Sequence, residues 1–268
     1  MPSYVVTGAN RGIGFAFVRQ LSAKPENVVI ALVRNLNTTE ALKNLNRSNV
    51  HILKADISDF SSIKTAAAET AKITGGSLDV LINNAAYLAL DRMGLTLDGY
   101  PEGQEKLLEE DLLTFYRVNV VGVVHTINLF LPLIKKGSLK KVIVISSGAG
   151  DLDFTVAGGF AVNAPYSISK AAVNMVVAKY AGEYKEQGVA FLALSPGMVD
   201  TTPPGAAPIT TLDWMQKEVE KFKKVVPNLP PPLTPDESVL KMFKVIDALS
   251  VDNNSGAFIS QNGNKDWF

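Results

Sequence analysis

Thr7-Gly8-Ala9-Asn10-Arg11-Gly12-Ile13-Gly14 follows at once on the apolar run Tyr4-Val5-Val6 and leads into Phe15-Ala16-Phe17-Val18. Aromatic and β-branched residues favour a strand. Closely spaced glycines then let the chain turn sharply and begin a helix at the strand's end. A strand, a tight turn and a helix open a βαβ unit, whose helix must pack back on the sheet beside a parallel neighbour. The same glycines let the backbone approach a pyrophosphate, whose charge a helix N-terminus stabilises. The spacing is Gly-x-x-x-Gly-x-Gly, not the common Gly-x-Gly-x-x-Gly, and a turn that only packs helix on strand would also use glycine. Its place after the first strand favours dinucleotide binding, through Gly8, Asn10, Arg11, Gly12, Ile13 and Gly14.

The rest of the chain keeps this rhythm. Apolar β-branched runs predict strands at 3–7, 27–33, 50–55, 78–83, 140–146, 189–195 and 256–260. Near-continuous apolarity in Val28–Val33 and Val142–Ile145 fits strands buried on both faces. Helices are expected at 12–24, 38–46, 59–73, 104–135, 165–187 and 235–249. Right-handed crossovers then give an α/β, doubly wound Rossmann fold: a seven-stranded parallel sheet with helices on both faces. A chain of 268 residues, 47% of them hydrophobic, suits a single domain over 1–268. Two segments break the pattern: 86–103 reads as a loop, and 196–235 is proline-rich around a helix expected at 211–224. Loops this long in a compact domain are often lids, so 196–235 is expected to cover substrate.

Composition narrows the chemistry. The formal net charge is zero, which gives no reason to expect nucleic acid or an anionic membrane as partner. The absence of cysteine removes thiol nucleophiles and thiolate metal sites, and His51 and His125 have no partners at ligand spacing, so no metal is expected. The first strand begins too early to leave room for a leader peptide, and no apolar run approaches the ~20 residues of a membrane span. A cytoplasmic protein with a small-molecule substrate is the resulting expectation.

The cofactor is legible at the second strand. An NAD site usually has an acid there for the ribose hydroxyls, whereas this strand ends Val33-Arg34-Asn35. Arg34 and Arg11 together could grip a 2′-phosphate, which predicts NADP(H). A second pattern is Tyr166-Ser-Ile-Ser-Lys170, with phenol and ammonium one helical turn apart. The lysine charge and a helix start near Pro165 are expected to lower the phenol from its ordinary ~10, giving a proton donor for carbonyl reduction.

With these motifs in order, the chain resembles the short-chain dehydrogenase/reductase family over nearly its whole length. Thr7–Gly14 matches the cofactor signature, and Asp56-Ile57 the adenine-contacting pair. Asn83-Asn84-Ala85-Ala86 is similar to the motif ending strand four, with alanine for the last glycine. Asn119, Ser147, Tyr166 and Lys170 match the catalytic tetrad, and Pro196-Gly197-Met198-Val199-Asp200-Thr201 the nicotinamide-contacting motif. The resemblance implies cofactor contacts at Asn83, Ala85, Pro196, Gly197, Val199 and Thr201, besides Tyr166 and Lys170. The Arg11/Arg34 pairing and the ending Ser255–Ile259 are similar to carbonyl reductases of the sniffer and C-factor type, with which fungal ketoreductases of aromatic polyketide pathways belong. Ser147 and Tyr166 stand farther apart than in the family pattern. An insertion at 151–164 is therefore expected; a rigid count would select Asp153, and Ser146 is the nearest competitor.

By resemblance, the pro-S hydride of NADPH passes to a carbonyl carbon. Ser147 and Tyr166 bond the oxygen, Tyr166 donates the proton, and Lys170 lowers its pKa and holds the ribose. Asn119 positions a water. The insertion is expected to bring Leu152, Phe154, Val156 and Phe160 to the site, and the lid Trp214 and Met215, for an apolar or aromatic substrate. Phe154, Phe160 and Trp214 are the candidate substrate contacts. A homodimer or homotetramer, through helices 104–135 and 165–187, is the family's usual assembly. Other readings stay open: an imine or iminium reductase of a secondary-metabolite pathway, a non-catalytic NADP(H)-binding module, or a scaffold for cyclisation.

Overall fold

Neighbouring residues on each central strand serve opposite cores. Val5, Ile30, Leu81 and Val142 belong to one apolar cluster. Val6, Val29, Ile82 and Ile143 belong to the other. That division is the two-sided burial expected of a parallel sheet. In the computed structural model, which describes residues 1–202, 205 and 212–268, the strands are β1 (Ser3–Thr7), β2 (Val28–Val33), β3 (Val50–Lys54), β4 (Val80–Asn83), β5 (Lys141–Ile145), β6 (Ala190–Ser195) and β7 (Phe258–Ser260). All pair in parallel, in the order β3-β2-β1-β4-β5-β6-β7. Register is set by burial: Val5 lies opposite Ile30 and Leu81, all three in the same core. The sheet is the doubly wound arrangement expected, and strand order reverses between β1 and β4. Ligands of such sheets bind in the crevice beyond the strands' carboxyl ends, at that reversal.

Helices cover both faces. α1 (Gly12–Leu21) leads back from β1, α2 (Glu40–Lys43) follows β2, and α3 (Phe60–Ile73) follows β3. After β4 come α4 (Glu105–Tyr116) and α5 (Gly122–Ile134), then α6 (Leu152–Gly158), α7 (Ala164–Tyr184), α8 (Asp213–Val225) and α9 (Pro235–Ala248). Several ends follow from local chemistry. Asp59 accepts from Ser61 N at 2.9 Å to cap α3, and Thr234 and Glu237 form a reciprocal capping box at α9. At the opposite edge Asp79 ties β1 to the turn before β5, accepting from Ser3 N at 2.8 Å and Ser138 N at 2.8 Å. Burial opposes its charge, but these donors hold the carboxyl below its ordinary value.

Three expectations are corrected. The helix expected at 38–46 is only a 3-10 turn, Leu36–Thr38, and the single turn of α2. The helix expected over 104–135 is interrupted by a π-helical stretch, Arg117–Val121, which adds a residue to the turn and shifts the faces of α4 and α5. The segment 151–164 contains α6, started by Asp151, which accepts from Phe154 N at 2.8 Å, and ended by left-handed Gly159. The run Glu105–Ile134 is, contrary to the sequence reading, long and apolar enough by composition to cross a membrane. Val123, Ile127, Phe130 and Ile134 instead pack in the core. Within the expected lid, residues 203, 204 and 206–211 lie outside the described residues.

Candidate active site

The glycine turn is built by contact rather than by flexibility. Gly8 adopts φ +65°, and a Cβ there would meet Ala85 Cα at 2.9 Å. A Cβ on Gly14 would stand 2.2 Å from the Gly8 carbonyl oxygen and 2.6 Å from Asn84 Nδ2, so no side chain fits. Asn84, unassigned in the sequence reading, does the tying: its Nδ2 donates to Thr7 O at 2.9 Å and Gly8 O at 3.2 Å. Thr7 Oγ1 accepts from the backbone N–H groups of Asn84 and Ala85, each at 2.9 Å. Asn83, the residue the motif selected, has a buried Nδ2 with no partner among the described residues.

Among the described residues no side chain caps α1, and Arg11 at its N-cap is extended and exposed. First-turn N–H groups without a cap, beside a cradle that a Cβ would fill, fit a pyrophosphate. Ile13 lies in that first turn, and Asn10 Nδ2 donates to Thr38 Oγ1 at 3.1 Å. Arg34 is exposed at the end of β2. Among the described residues neither Arg11 nor Arg34 forms an ion pair. Asp56 folds one oxygen onto Ser58, accepting from its N at 2.9 Å and Oγ at 2.7 Å. Ile57 is buried against the start of α5, where its carbonyl oxygen would be 2.5 Å from a Cβ on Gly122. Beyond β6, the Pro196 carbonyl accepts from Ser238 Oγ at 2.7 Å and Val199 bridges Leu233. A Cβ on Gly12 would lie 3.3 Å from the Thr201 methyl, so the two loops flanking the crevice touch.

Tyr166 and Lys170 occupy successive turns at the start of α7, with Pro165 in its first turn. Ser147 follows β5 and its Oγ accepts from Ala149 N at 3.2 Å. Strand alternation sends Ser146 elsewhere, its Oγ donating to Asn174 Oδ1 at 2.5 Å. Asp153 is exposed in α6. Lys170 is 4% exposed and donates from Nζ to Ile145 O at 2.7 Å, with Nζ 5.5 Å from the centre of the Tyr166 ring. Burial brings its pKa down to about 8. Burial raises the Tyr166 phenol, opposed only by the Ser147 hydroxyl. The net direction is upward, against the expected lowering: burial is the largest cause, and the resting Lys170 ammonium is turned to a backbone carbonyl.

Asn119 sits in the π-helical stretch and is 1% exposed. Its Oδ1 accepts from Tyr87 N at 2.7 Å, and its Nδ2 donates to Ser169 Oγ at 3.1 Å. Ser169 Oγ in turn donates to Tyr166 O at 2.7 Å. The π-turn is thereby tied to the tyrosine's own turn of α7.

Ser147 also lies on the wall of a cavity of about 210 Å³. Phe154, Phe160, Trp214 and Met215 all line it. Leu152 and Val156 do not: they are 75% and 81% exposed, because i and i+4 of α6 share the face turned away. The sequence reading missed Phe222, Trp267 and Phe268. Phe160 and Phe222 approach to 4.6 Å between ring centres, and Phe222 and Phe268 to 5.2 Å. The Trp214 ring lies on Gly94, where a Cβ would be 2.7 Å from its Cγ, so the 86–103 loop supports α8. Arg92 braces that loop, donating to buried Asp111 from Nε at 2.7 Å and Nη2 at 2.9 Å.

Three comparisons bear on this arrangement. The family model for short chain dehydrogenases matches residues 3–207. The chain is 46% identical over 278 residues, and over all of both chains, to the short chain dehydrogenase virK of Hypocrea virens. Among solved structures, it superposes on an NADPH-bound carbonyl reductase from chicken fatty liver with a TM-score of 0.78, at 31% identity over 98% of each chain. The Sniffer protein of Caenorhabditis elegans gives a TM-score of 0.74, at 26% identity over 98% of each chain.

Proposed function

The chain belongs to the short-chain dehydrogenase family of oxidoreductases, and from that premise we propose that it is an NADPH-dependent carbonyl reductase of an apolar aromatic small molecule. The observation that carries this reading is the position of Ser147, beside the Tyr166 phenol and on the wall of an aromatic-lined cavity. The glycine turn, Asp56, Ile57, Asn83, Ala85 and the Pro196–Thr201 segment would hold the cofactor, which supplies hydride when bound. Ser147 Oγ donates to the substrate's carbonyl oxygen, and Tyr166 delivers its phenolic proton there as negative charge develops. Reduction needs the phenol protonated at rest, and burial keeps it so at neutral pH. Lys170 stabilises the tyrosine's oxygen once its proton has left, and Asn119 holds a water that leads from Lys170 to solvent.

The test is NADPH oxidation with aromatic ketones, quinones, aldehydes and cyclic imines, with Tyr166→Phe as control. Tyrosine-dependent turnover on a carbonyl class is expected. Turnover on imines alone, or NADPH binding without turnover on the panel or on native aromatic metabolites, would contradict the reading.

NADPH rather than NADH is expected because Arg11, at the glycine turn, and Arg34, at the end of β2, are exposed and among the described residues form no ion pair. Each charged hydrogen bond is worth about 1.5–3 kcal/mol. Replacing both Arg11 and Arg34 with alanine should therefore lower the NADPH/NADH ratio of kcat/KM by about a hundredfold or more. An unchanged ratio would remove the 2′-phosphate argument.

Self-association is part of the same proposal. Leu113 and Tyr116 on α4, and Ile168 and Met175 on α7, are large apolar side chains left exposed. A homodimer or homotetramer burying them is expected by light scattering, and a monomer at micromolar concentration would count against it.

A further inference from the structure

Among the described residues, the cavity beside Ser147 has one acid in its wall. Glu218, on α8, is 4% exposed and lines the cavity alongside Phe154, Phe160 and Phe222. A carboxylate so buried costs several kcal/mol unless partnered. Lys221 partners one oxygen, its Nζ lying 2.7 Å from Oε1 while also donating to Gly159 O at 3.2 Å. Among the described residues, Oε2 takes no hydrogen bond. The result is an aromatic chamber with a hydrogen-bonding carbonyl end, at Ser147, and a carboxylate oxygen to spare at its α8 wall.

We infer that Glu218 selects the substrate: its Oε2 accepts a hydrogen bond from a phenolic hydroxyl on an aromatic ketone whose carbonyl faces Ser147. Three features point to a phenol. The walls are aromatic rings, which favour a planar ring over an aliphatic alcohol. The volume of about 210 Å³ exceeds the ~150 Å³ that takes one benzene, leaving room for a substituted or fused ring. The charge of Glu218 is already balanced by Lys221, so a cationic substrate would meet the lysine's field while a neutral donor would not. A phenol is also a stronger donor than an alcohol, and its bond to a carboxylate is charge-assisted. The carbonyl end of this assignment rests on the reductase reading; the Glu218 end does not.

The chain's two tryptophans, Trp214 and Trp267, both line this cavity, so quenching of intrinsic fluorescence reports its occupancy. The probes are hydroxytetralones, their methyl ethers and the matching aminomethyl tetralones, titrated with NADP⁺ saturating. The best hydroxytetralone should bind about tenfold more tightly than its methyl ether, and Glu218→Gln should shrink that ratio to about threefold or less. Equal binding of phenol and ether by the unaltered protein, no binding of either, or tightest binding of the amine overturns the inference without need of the variant. A ratio that survives in a folded Glu218→Gln also overturns it. NADPH oxidation on the same compounds separates the two claims. Phenol preference without turnover sinks the reductase reading alone, and turnover without phenol preference sinks the Glu218 assignment alone.

Discussion

Replacing Tyr166 with phenylalanine should lower kcat by about 10³-fold, within the 10²–10⁴ range for losing a positioned proton donor. NADPH affinity should stay within about twofold. The ring sits edge-on to Phe115, with centroids 6.2 Å apart, and phenylalanine preserves that contact. What disappears is one hydroxyl whose neighbour is Ser147. Steady-state kinetics and a cofactor fluorescence titration measure the two quantities independently. Loss of NADPH affinity together with turnover would make the tyrosine a structural support of the cofactor crevice. The resting phenol is neutral, so the variant's deficit should be constant across the neutral range.

Most of the frame was readable before any coordinates because it depends on local rules. Val5 and Val6 had to face opposite cores once helices covered both sides of the sheet, and Gly8, Gly12 and Gly14 had to make the turn. The parts that escaped depend on context. Asp151 and Gly158-Gly159 carry the start and stop signals of α6, but a seven-residue helix is too short for periodicity to reveal. Trp267 and Phe268 reach the cavity from the far end of the chain, a contact no sequence window contains. Glu218 lies among Lys217, Glu220, Lys221 and Lys223, and by composition reads as a solvated helix face. Only the packing of α8 over α6 turns it inward. The error on Tyr166 has the same origin: spacing gives the lysine's proximity, while burial decides which charge states the pair prefers.

Lys170 is the residue where function and stability should part company. Lys170→Met should lower turnover by about 10²-fold or more, because no cation remains to stabilise the tyrosine's oxygen after proton transfer. Its effect on the folded state should run the other way. In the unfolded chain the lysine titrates near its ordinary 10.5, and in the fold near 8. Between these values the folded protein binds fewer protons than the unfolded one, so stability rises with pH across that window. Below pH 8 the burial penalty is present in full, about 3 kcal/mol. The variant escapes that penalty but leaves the Ile145 carbonyl without its donor, a loss of about 1–3 kcal/mol. At pH 7 the variant should therefore be as stable as the parent or more so. By pH 10 the parent should have gained about 2.5 kcal/mol relative to it, and thermal midpoints of the cofactor-free proteins at the two pH values measure the difference. Parallel curves, with the variant weaker throughout, would mean that the ammonium is well partnered in the fold. A crossing would mean that the chain keeps a buried charge at a cost to its own stability, as a catalytic role requires and a packing role does not.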